Sequence, residues 1–430
     1  STIMFNIYDK NVRSLLLSGN FGLEKESLRI THEGFFSHSL HPFPDNNNIV
    51  YDFCENQTEI NTGISSSAEE VQAELLRHTV TIHQKISSYE KPELLWPFSN
   101  PPYIRNEADI PIARHNAKAE YSQGYREYLA DRYGRYKMAL SGIHVNYSFS
   151  EELLEADFAL SGETDYNEYK NNTYLALAEG LAAFGWILTA VTAASPLLDG
   201  SYLEKGKVGQ TVFNGLGSTR CSELGYWNYF TPVFDYSDIK AYASSIQHYV
   251  DAGLIASPTE LYYPIRLKSY GKNNLARLAS QGVSHIEIRT VDLNPFELSG
   301  INLKDLQFIQ LLLAWIASNP AKELSLRDQV QAAQNFKNAS RYDLKTVKIV
   351  IPEGESRSVV KTGLTVISRM KEFYRDFSDE VKDVLAFEEE KFLIPEKRYA
   401  WMVRGLFDDD YAGKGLALAK NLQARMLKDV

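Results

Sequence analysis

Apolar and polar positions alternate near residues 20–30, where Leu23, Lys25 and Ser27 fall on one side of a strand and Glu24 and Glu26 on the other. Further strand signals lie near 49–62, 142–149, 260–268, 284–292 and 347–352. Helical periodicity is clearest at 66–88, where Ser66 and Ser67 precede a run that begins acidic and ends basic. It recurs at about 115–140, 170–194, 236–252, 303–317, 358–378 and 412–428, and the first twenty residues read as an opening helix without a secretory cleavage pattern. Strands and helices intermingle without a regular βαβ series. That order predicts an α+β fold, a largely antiparallel sheet carrying helices on one side. No repeat or low-complexity linker divides the chain, so residues 1–430 read as a single compact unit, with a core over 1–319 and a mainly helical extension over 320–430.

The uncharged stretch Leu181–Leu198 contains Gly185, Thr189, Thr192, Ser195 and Pro196, which fits a buried helix ending before the proline better than a membrane span. Pro44–Asn48 and Ser161–Thr164 read as polar turns. Residues 204–220 form a Gly-rich, flexible stretch ending at Arg220, without the phosphate-binding GxxxxGK[ST] pattern. A mobile loop over a site and an inert surface loop both remain open there.

Composition narrows the class. With 44% hydrophobic and 23% charged residues the chain is globular. Forty-five Lys and Arg against 55 Asp and Glu give a net charge of -10, which argues against a broad phosphate-binding surface and hence a nucleic-acid partner. Cys54 and Cys221, the only two cysteines, indicate neither a disulfide framework nor a zinc cluster, and suit a reducing, cytoplasmic setting. Tyrosine is abundant at 26 residues, and Tyr121, Tyr125, Tyr128, Tyr133 and Tyr136 cluster. Such rings suit a mixed polar and apolar cavity or simply bridge core and solvent.

Candidate chemistry begins with Glu24 and Glu26, two like charges on one strand face that invite a cation such as Mg2+, the alternative being a solvated face. Asp52 and Glu59 have opposite parity on an uninterrupted strand, so a bulge or turn is needed to bring them to one site. His144, Asn146 and Ser148 share a face; the histidine is either a ligand for a divalent ion or phosphate, or a hydrogen-bonded core residue. Glu287 and Arg289 also share a face, as a structural ion pair or as a pair that holds Mg2+ and phosphate. Arg220 is an anion-binding candidate or an exposed base.

In this order, GLEKESLR (22–29), DFCENQTEI (52–60), WPFSNPPYI (96–104), YREYLADRYG (125–134), SGIHVNYSFS (141–150), STRCSELGY (218–226), ELYYPIRLK (260–268) and IEIRTVDLNPF (286–296) resemble the glutamate-cysteine ligase family. The bacterial type, with its glutamine-synthetase-like fold, is the one matched, over about 20–315. The resemblance implies that Glu24, Glu26, Asp52, Glu59, His144 and Glu287 surround two or three Mg2+ or Mn2+ ions that bridge ATP phosphates and an acyl phosphate. It implies catalytic roles for Arg220, Arg289 and Glu287, the arginines clamping phosphate and substrate carboxylate. It places Tyr125, Leu129, Tyr226 and Tyr262 in the amino-substrate pocket, with Met138 and Leu140 beside them. Met138 departs from a glutamine known in the family, which either repacks the same pocket or admits an amine other than cysteine.

The implied reaction is ATP-dependent ligation of the glutamate γ-carboxylate to the amino group of cysteine through γ-glutamyl phosphate, with glutamate, cysteine and ATP as partners and no membrane. The family also implies a monomer. A fused ATP-grasp domain is not recognised within these residues, so completion of glutathione is not implied. A γ-glutamyl ligase for another amine, or an inactive glutamate or nucleotide sensor, are the competing readings.

Overall fold

The computed structural model describes residues 4–104, 107–113, 123–203, 207–319, 322–352 and 354–428. Tyr121, the side chain of Tyr133, the 115–122 part of the expected helix and 204–206 of the Gly-rich stretch lie outside the described residues. In chain order, β1 (Gly19–Thr31), β2 (Ile49–Tyr51), β3 (Gln57–Asn61), β4 (Glu93–Leu95) and β5 (Gly142–Phe149) precede a ribbon of β6 (Leu197–Asp199) and β7 (Thr211–Phe213). Next come β8 (Ile265–Ser269) and β9 (Val283–Asp292), then a second ribbon of β10 (Lys348–Val350) and β11 (Ser356–Ser358). The main sheet runs β2-β3-β1-β5-β9-β8, with β4 alongside the end of β1, and its pairings are antiparallel. An α+β fold with a large antiparallel sheet and a helical C-terminal part is therefore the architecture.

Period-two alternation gives the sheet two different faces. Phe21 and Leu23 of β1, Ile143, Val145 and Tyr147 of β5, and Ile286 and Ile288 of β9 are buried beneath helices. Ala68–Ser87 packs on β1, and Tyr166–Phe184 on β8 and β9. The first starts at the expected point: Ser67 Oγ accepts from Glu70 N at 3.1 Å, a cap whose loss typically costs about 1 kcal/mol. Leu303–Ser318 is buried almost all round because it packs between Tyr166–Phe184 and the later helices. Truncating Leu312 or Leu313 there to alanine would cost about 2–5 kcal/mol.

Several expected elements are corrected, and the described part of the helix expected at 115–140 is two, Gln123–Tyr133 and Arg135–Met138, broken at Gly134 with φ 85°. Residues 49–62 are not one strand but the β2-β3 hairpin, closed by Asp52 N donating to Gln57 O at 3.0 Å and Gln57 N to Cys54 O at 2.9 Å. The strand expected at 260–268 starts only at Ile265, after a single 3-10 turn at Pro258–Glu260. The helix expected at 170–194 is two, Tyr166–Phe184 and Trp186–Thr192, bent by 57°. The break falls at Gly185, where a Cβ would meet Leu181 O at 2.5 Å and the Phe336 ring at 2.8 Å. The second helix ends before Pro196, as expected, and no single described helix is long and apolar enough to cross a membrane.

Past residue 320 the chain packs back onto the same body. Leu326–Ala339 and Val359–Phe373 contribute Phe336, Val366, Ile367 and Met370 to the core beneath the sheet. Lys391 Nζ lies 2.7 Å from both Asp305 and Glu388, and Tyr399 OH donates to Asp305 at 2.6 Å, a buried network pinning two further helices, Asp379–Leu393 and Tyr399–Phe407, to Leu303–Ser318. The last helix, Tyr411–Lys428, covers a second apolar cluster containing Trp96 and Phe98, and Tyr411 OH donates to Asn100 O at 2.7 Å.

Candidate active site

The face of the sheet away from the helices Ala68–Ser87 and Tyr166–Phe184 gathers the carboxylates and His144 across four neighbouring strands. Glu26 on β1 is directly opposite Glu59 on β3, and Glu24 is opposite His144 on β5. Asn146 pairs with Glu287 on β9, and a register shift between Ile143 and Val145 brings Glu287 diagonally to His144. Separate strands dissolve the parity problem at Asp52 and Glu59. Asp52 follows β2 and sits on the same hairpin face as Glu59, so the turn supplies the bend that spacing alone could not.

Two sets of potential metal ligands result. Glu24, His144 and Glu287 each present one ligand atom within 4.8 Å of the others, and so do Glu26, Asp52 and Glu59. Glu59 and Glu287 are buried, 1% and 2% exposed. Burial alone would raise the Glu287 carboxyl, but Lys268 first, then Arg289, hold it well below the carboxylate range. Its partners are Arg289 Nη1 at 3.0 Å, Lys268 Nζ at 3.6 Å and His144 Nδ1 at 3.9 Å. Burial, and then Arg289, lower the His144 imidazole below its usual range. The ring is therefore a neutral donor of a lone pair at pH 7, and its 3.7 Å approach to Glu24 is not an ion pair.

Arg220 is not an exposed base. It is 4% exposed, with Nη1 donating to Val291 O at 3.3 Å and Nη2 to Arg289 O, while Nε is buried without a hydrogen-bond partner. It lies against Gly142 of β5, where a Cβ would come within 2.3 Å of its guanidinium carbon. The described part of the Gly-rich stretch is anchored rather than loose: Gly217 N and Ser218 N donate to Ser340 O at 2.7 and 3.0 Å, and Ser218 Oγ to Asp292 at 3.0 Å.

A cavity opens over these groups. Glu24, Glu26, Asp52, His144, Glu287, Arg220, Arg289, Met138, Tyr226 and Tyr262 line it, so the structure brings together most of the residues singled out by sequence. Tyr226 OH donates to Leu140 O at 2.8 Å and its ring lies 5.7 Å from that of Tyr262. Burial, then the charges of Glu26 and Asp52, push its phenol well above the usual range, so it stays protonated. Four others are not on its wall, and the first, Glu59, is buried beside Glu26 and Asp52. Leu129 and Leu140 are fully buried in the second apolar cluster and do not line the cavity, Leu140 serving through its carbonyl. Tyr125 is half-buried beside that cluster, its phenol raised by burial and hydrogen-bonded toward Ser257 and Thr259, of which Thr259 lines the cavity. Cys221 also lines it, but burial pushes its thiol up to about 11, and Cys54 is buried in the hairpin turn rather than on a strand; neither is a thiolate nucleophile.

Sequence reasoning missed Lys268 and Arg266. Both share a face of β8, opposite His285 and Glu287 of β9, and both line the cavity. Two basic residues at i and i+2 beside the carboxylate strand were the available signal. A second cavity, lined by Asn61, Thr62, Ile64, Lys272 and His285, also includes Glu24, Glu287 and Lys268. Those three groups thus stand at the junction of two chambers.

Comparison with known proteins agrees with this geometry. The family model described as glutamate-cysteine ligase matches residues 4–254 and 230–339. The glutathione biosynthesis bifunctional protein GshAB of Listeria monocytogenes serotype 4b is 35% identical over 413 residues, covering 92% of this chain and 53% of that protein. Its namesake from Clostridium perfringens is 30% identical over 432 residues, covering 96% and 55%. The chain thus spans about half the length of these curated relatives. A bifunctional glutathione synthetase from Pasteurella multocida superposes with a TM-score of 0.84 at 26% identity, covering 99% of this chain and 55% of that one. A glutamate-cysteine ligase from Francisella tularensis, solved in complex with AMP, shares the fold with a TM-score of 0.84 at 22% identity, covering 95% and 89%. With the family model matched over well more than half its length, this chain belongs to the glutamate-cysteine ligase family.

Proposed function

We propose that the chain joins the γ-carboxylate of glutamate to the α-amine of cysteine, consuming ATP and passing through γ-glutamyl phosphate to give γ-glutamylcysteine, ADP and phosphate. The observation that carries this reading is the position of Glu24 and Glu287 between two chambers, with Arg220, Arg289 and Tyr226 on one side and His285 and Lys272 on the other. The first suits an amino acid and the second a nucleotide, so the terminal phosphate meets the γ-carboxylate where the ligands are densest.

The donor sets fit divalent cations. Glu26, Asp52 and Glu59 offer oxygen alone, the choice of Mg2+, whereas His144 among Glu24 and Glu287 suits Mn2+ as well. We assign one ion to each set. Ions bound there supply charge neutralisation for the triphosphate and the departing ADP. Glu287, ionised at neutral pH, holds Lys268 and Arg289 in place beside the junction, where they face the oxygens of the transferring phosphoryl group. Arg220, fixed by two backbone carbonyls, keeps its remaining N–H groups for a substrate carboxylate or phosphate. The γ-carboxylate oxygen bonds to the γ-phosphorus as the bond to ADP breaks. The neutral α-amine then attacks the activated carbonyl, phosphate leaves, and the amine gives up a proton; no protein nucleophile is needed.

Met138, 5% exposed and lining the amino-acid chamber, is the observation that favours a second reading, ligation to a different amine. A cytoplasmic monomer, with ATP and reduced cysteine at hand, completes the proposal. Incubating the protein with Mg-ATP and glutamate, and comparing cysteine, 2-aminobutyrate and a panel of amines by ADP release and product mass, tests it. A cysteine-dependent γ-linked dipeptide is expected. Equal or better turnover of an unrelated amine overturns the cysteine assignment, and glutamate binding without turnover overturns the ligase.

A further inference from the structure

Lys25, the middle residue of the Glu24-Lys25-Glu26 triplet, takes no part in this chemistry. The pleat of β1 turns it onto the helix-covered face, where it is 6% exposed. Among the described residues no carboxylate oxygen lies within 4 Å of its Nζ, and its hydrogen bond to Thr79 Oγ1 is long, 3.5 Å. Gly300 blocks one way out: a Cβ there would come within 2.9 Å of Lys25 Cε and 3.2 Å of Nζ. Burial lowers the Lys25 ammonium to about 8, still charged at pH 7 but costly with so little compensation, and a negative partner beside it would offset that cost.

A small cavity lies at this point, between β1, Ala68–Ser87, the turn Leu293–Gly300 and the last helix. Lys25, His83 and Asn294 line it, and each brings a donor. Gln423 Nε2 donates to Glu93 O at 3.0 Å and to His83 Nδ1 at 3.1 Å, so the neutral imidazole carries its proton on Nε2. Asn294 Oδ1 accepts from Phe296 N at 2.9 Å, leaving Nδ2 buried without a partner. The one acidic side chain there, Glu297, is engaged by Asn302 Nδ2 at 2.7 Å. The cavity leaves about 30 Å³ for the centre of a water-sized sphere, room for a small anion. A monatomic anion accepts from all three donors with no proton of its own to place, whereas a water would have to turn its protons toward Glu297.

We propose that this cavity is a halide site, occupied by chloride, with Lys25 Nζ, His83 Nε2 and Asn294 Nδ2 as its donors. It sits on the reverse side of the strand that carries the candidate metal carboxylates, and it makes the fold respond to the identity of the anion and not only to ionic strength. It is separate from the ligase reading and survives or fails without it.

Crystals of the full chain soaked in bromide, with data collected at the bromine edge, test it directly: an anomalous peak is expected among Lys25, His83 and Asn294. In solution, Tm should rise saturably by several degrees in sodium chloride or bromide over sodium gluconate at equal ionic strength. Lys25→Met should abolish that difference. Should Lys25→Met not fold, Asn294→Asp, which supplies a fixed negative charge, should fold and lose the halide dependence. No bromide peak, with density for a water bridging Lys25 to Glu297, or an unchanged halide response in the folded variant, overturns the proposal.

Discussion

Replacing Glu287 by glutamine keeps the size of the side chain and removes one charge from the junction between the chambers. The folded protein loses attraction to Arg289 at 3.0 Å and Lys268 at 3.6 Å. At an effective dielectric of about 20, each contact is worth about 5 kcal/mol before desolvation. Breaking a buried pair by removing one partner costs about 3–5 kcal/mol, and both cations retain about a fifth of their exposure, so a net loss of about 2–3 kcal/mol is expected. Spread over an unfolding entropy of about 0.9 kcal/mol/K for a chain of this length, that lowers Tm by only about 2–3 °C. The contribution is present at neutral pH, because the folded carboxyl is held well below 4.5, and it disappears as pH falls through that depressed value. Activity should fall far more. Losing a direct ligand should exceed the 10–100-fold penalty typical of an outer-shell partner, so kcat drops by about 100-fold or more and the Mg2+ requirement rises. Steady-state turnover across a Mg2+ titration, with thermal unfolding of the same samples, reads both effects. Wild-type kcat and Mg2+ dependence in Glu287→Gln would refute the metal role, and a collapse of Tm would show that the residue is chiefly structural.

Gly142→Ala should displace Arg220, since the new Cβ lies within 2.3 Å of its guanidinium, and lower kcat/KM by about 10–100-fold; wild-type kinetics would show that Arg220 does not work from this position. Glu59→Gln should raise the Mg2+ concentration for half-maximal turnover by about tenfold or more, and an unchanged titration would remove Glu59 from its ligand set. Met138→Gln should change kcat/KM for the amine acceptor by up to about 100-fold and leave KM for ATP alone; equal effects on both would place Met138 away from the acceptor. Burial holds His83 at about 3 against 6.5, so below pH 6.5 the unfolded chain takes up a proton that the folded one refuses. His83 alone should contribute a fall of about 1.4 kcal/mol per pH unit from about pH 6 to 4, and denaturant titration of His83→Gln should show a slope smaller by that amount.

The face-to-face chemistry of β1, β5 and β9 was legible because period two is local: Glu24 with Glu26, His144 with Asn146 and Glu287 with Arg289 follow from spacing alone. Strand order is not local, so which carboxylates meet was open until β3, β1, β5 and β9 were seen side by side. Asp52 and Glu59 were obscured by a tight turn, DFCEN, that contains neither glycine nor proline. Arg220 was ambiguous for a related reason: its burial depends on Gly142, 78 positions earlier, leaving room for it. Past residue 320, Leu326–Ala339, Asp379–Leu393 and Tyr399–Phe407 escaped notice; the first two carry buried polar residues, Gln329 and Lys391, whose partners lie on other elements. Leu129 and Leu140 were expected at the substrate pocket through resemblance, and their full burial shows them supporting its wall from behind.

Two groups of ligands on adjoining strands are proposed to hold divalent ions against a triphosphate. Crystals grown with Mn2+ and a non-hydrolysable ATP analogue, measured at the manganese edge, test it most directly. Anomalous peaks about 2.1 Å from oxygens of Glu26, Asp52 and Glu59, and others at Glu24, His144 and Glu287, are the expected result, with phosphate oxygens completing both shells. Manganese and nucleotide bound elsewhere, with these six side chains left to water, would contradict the account.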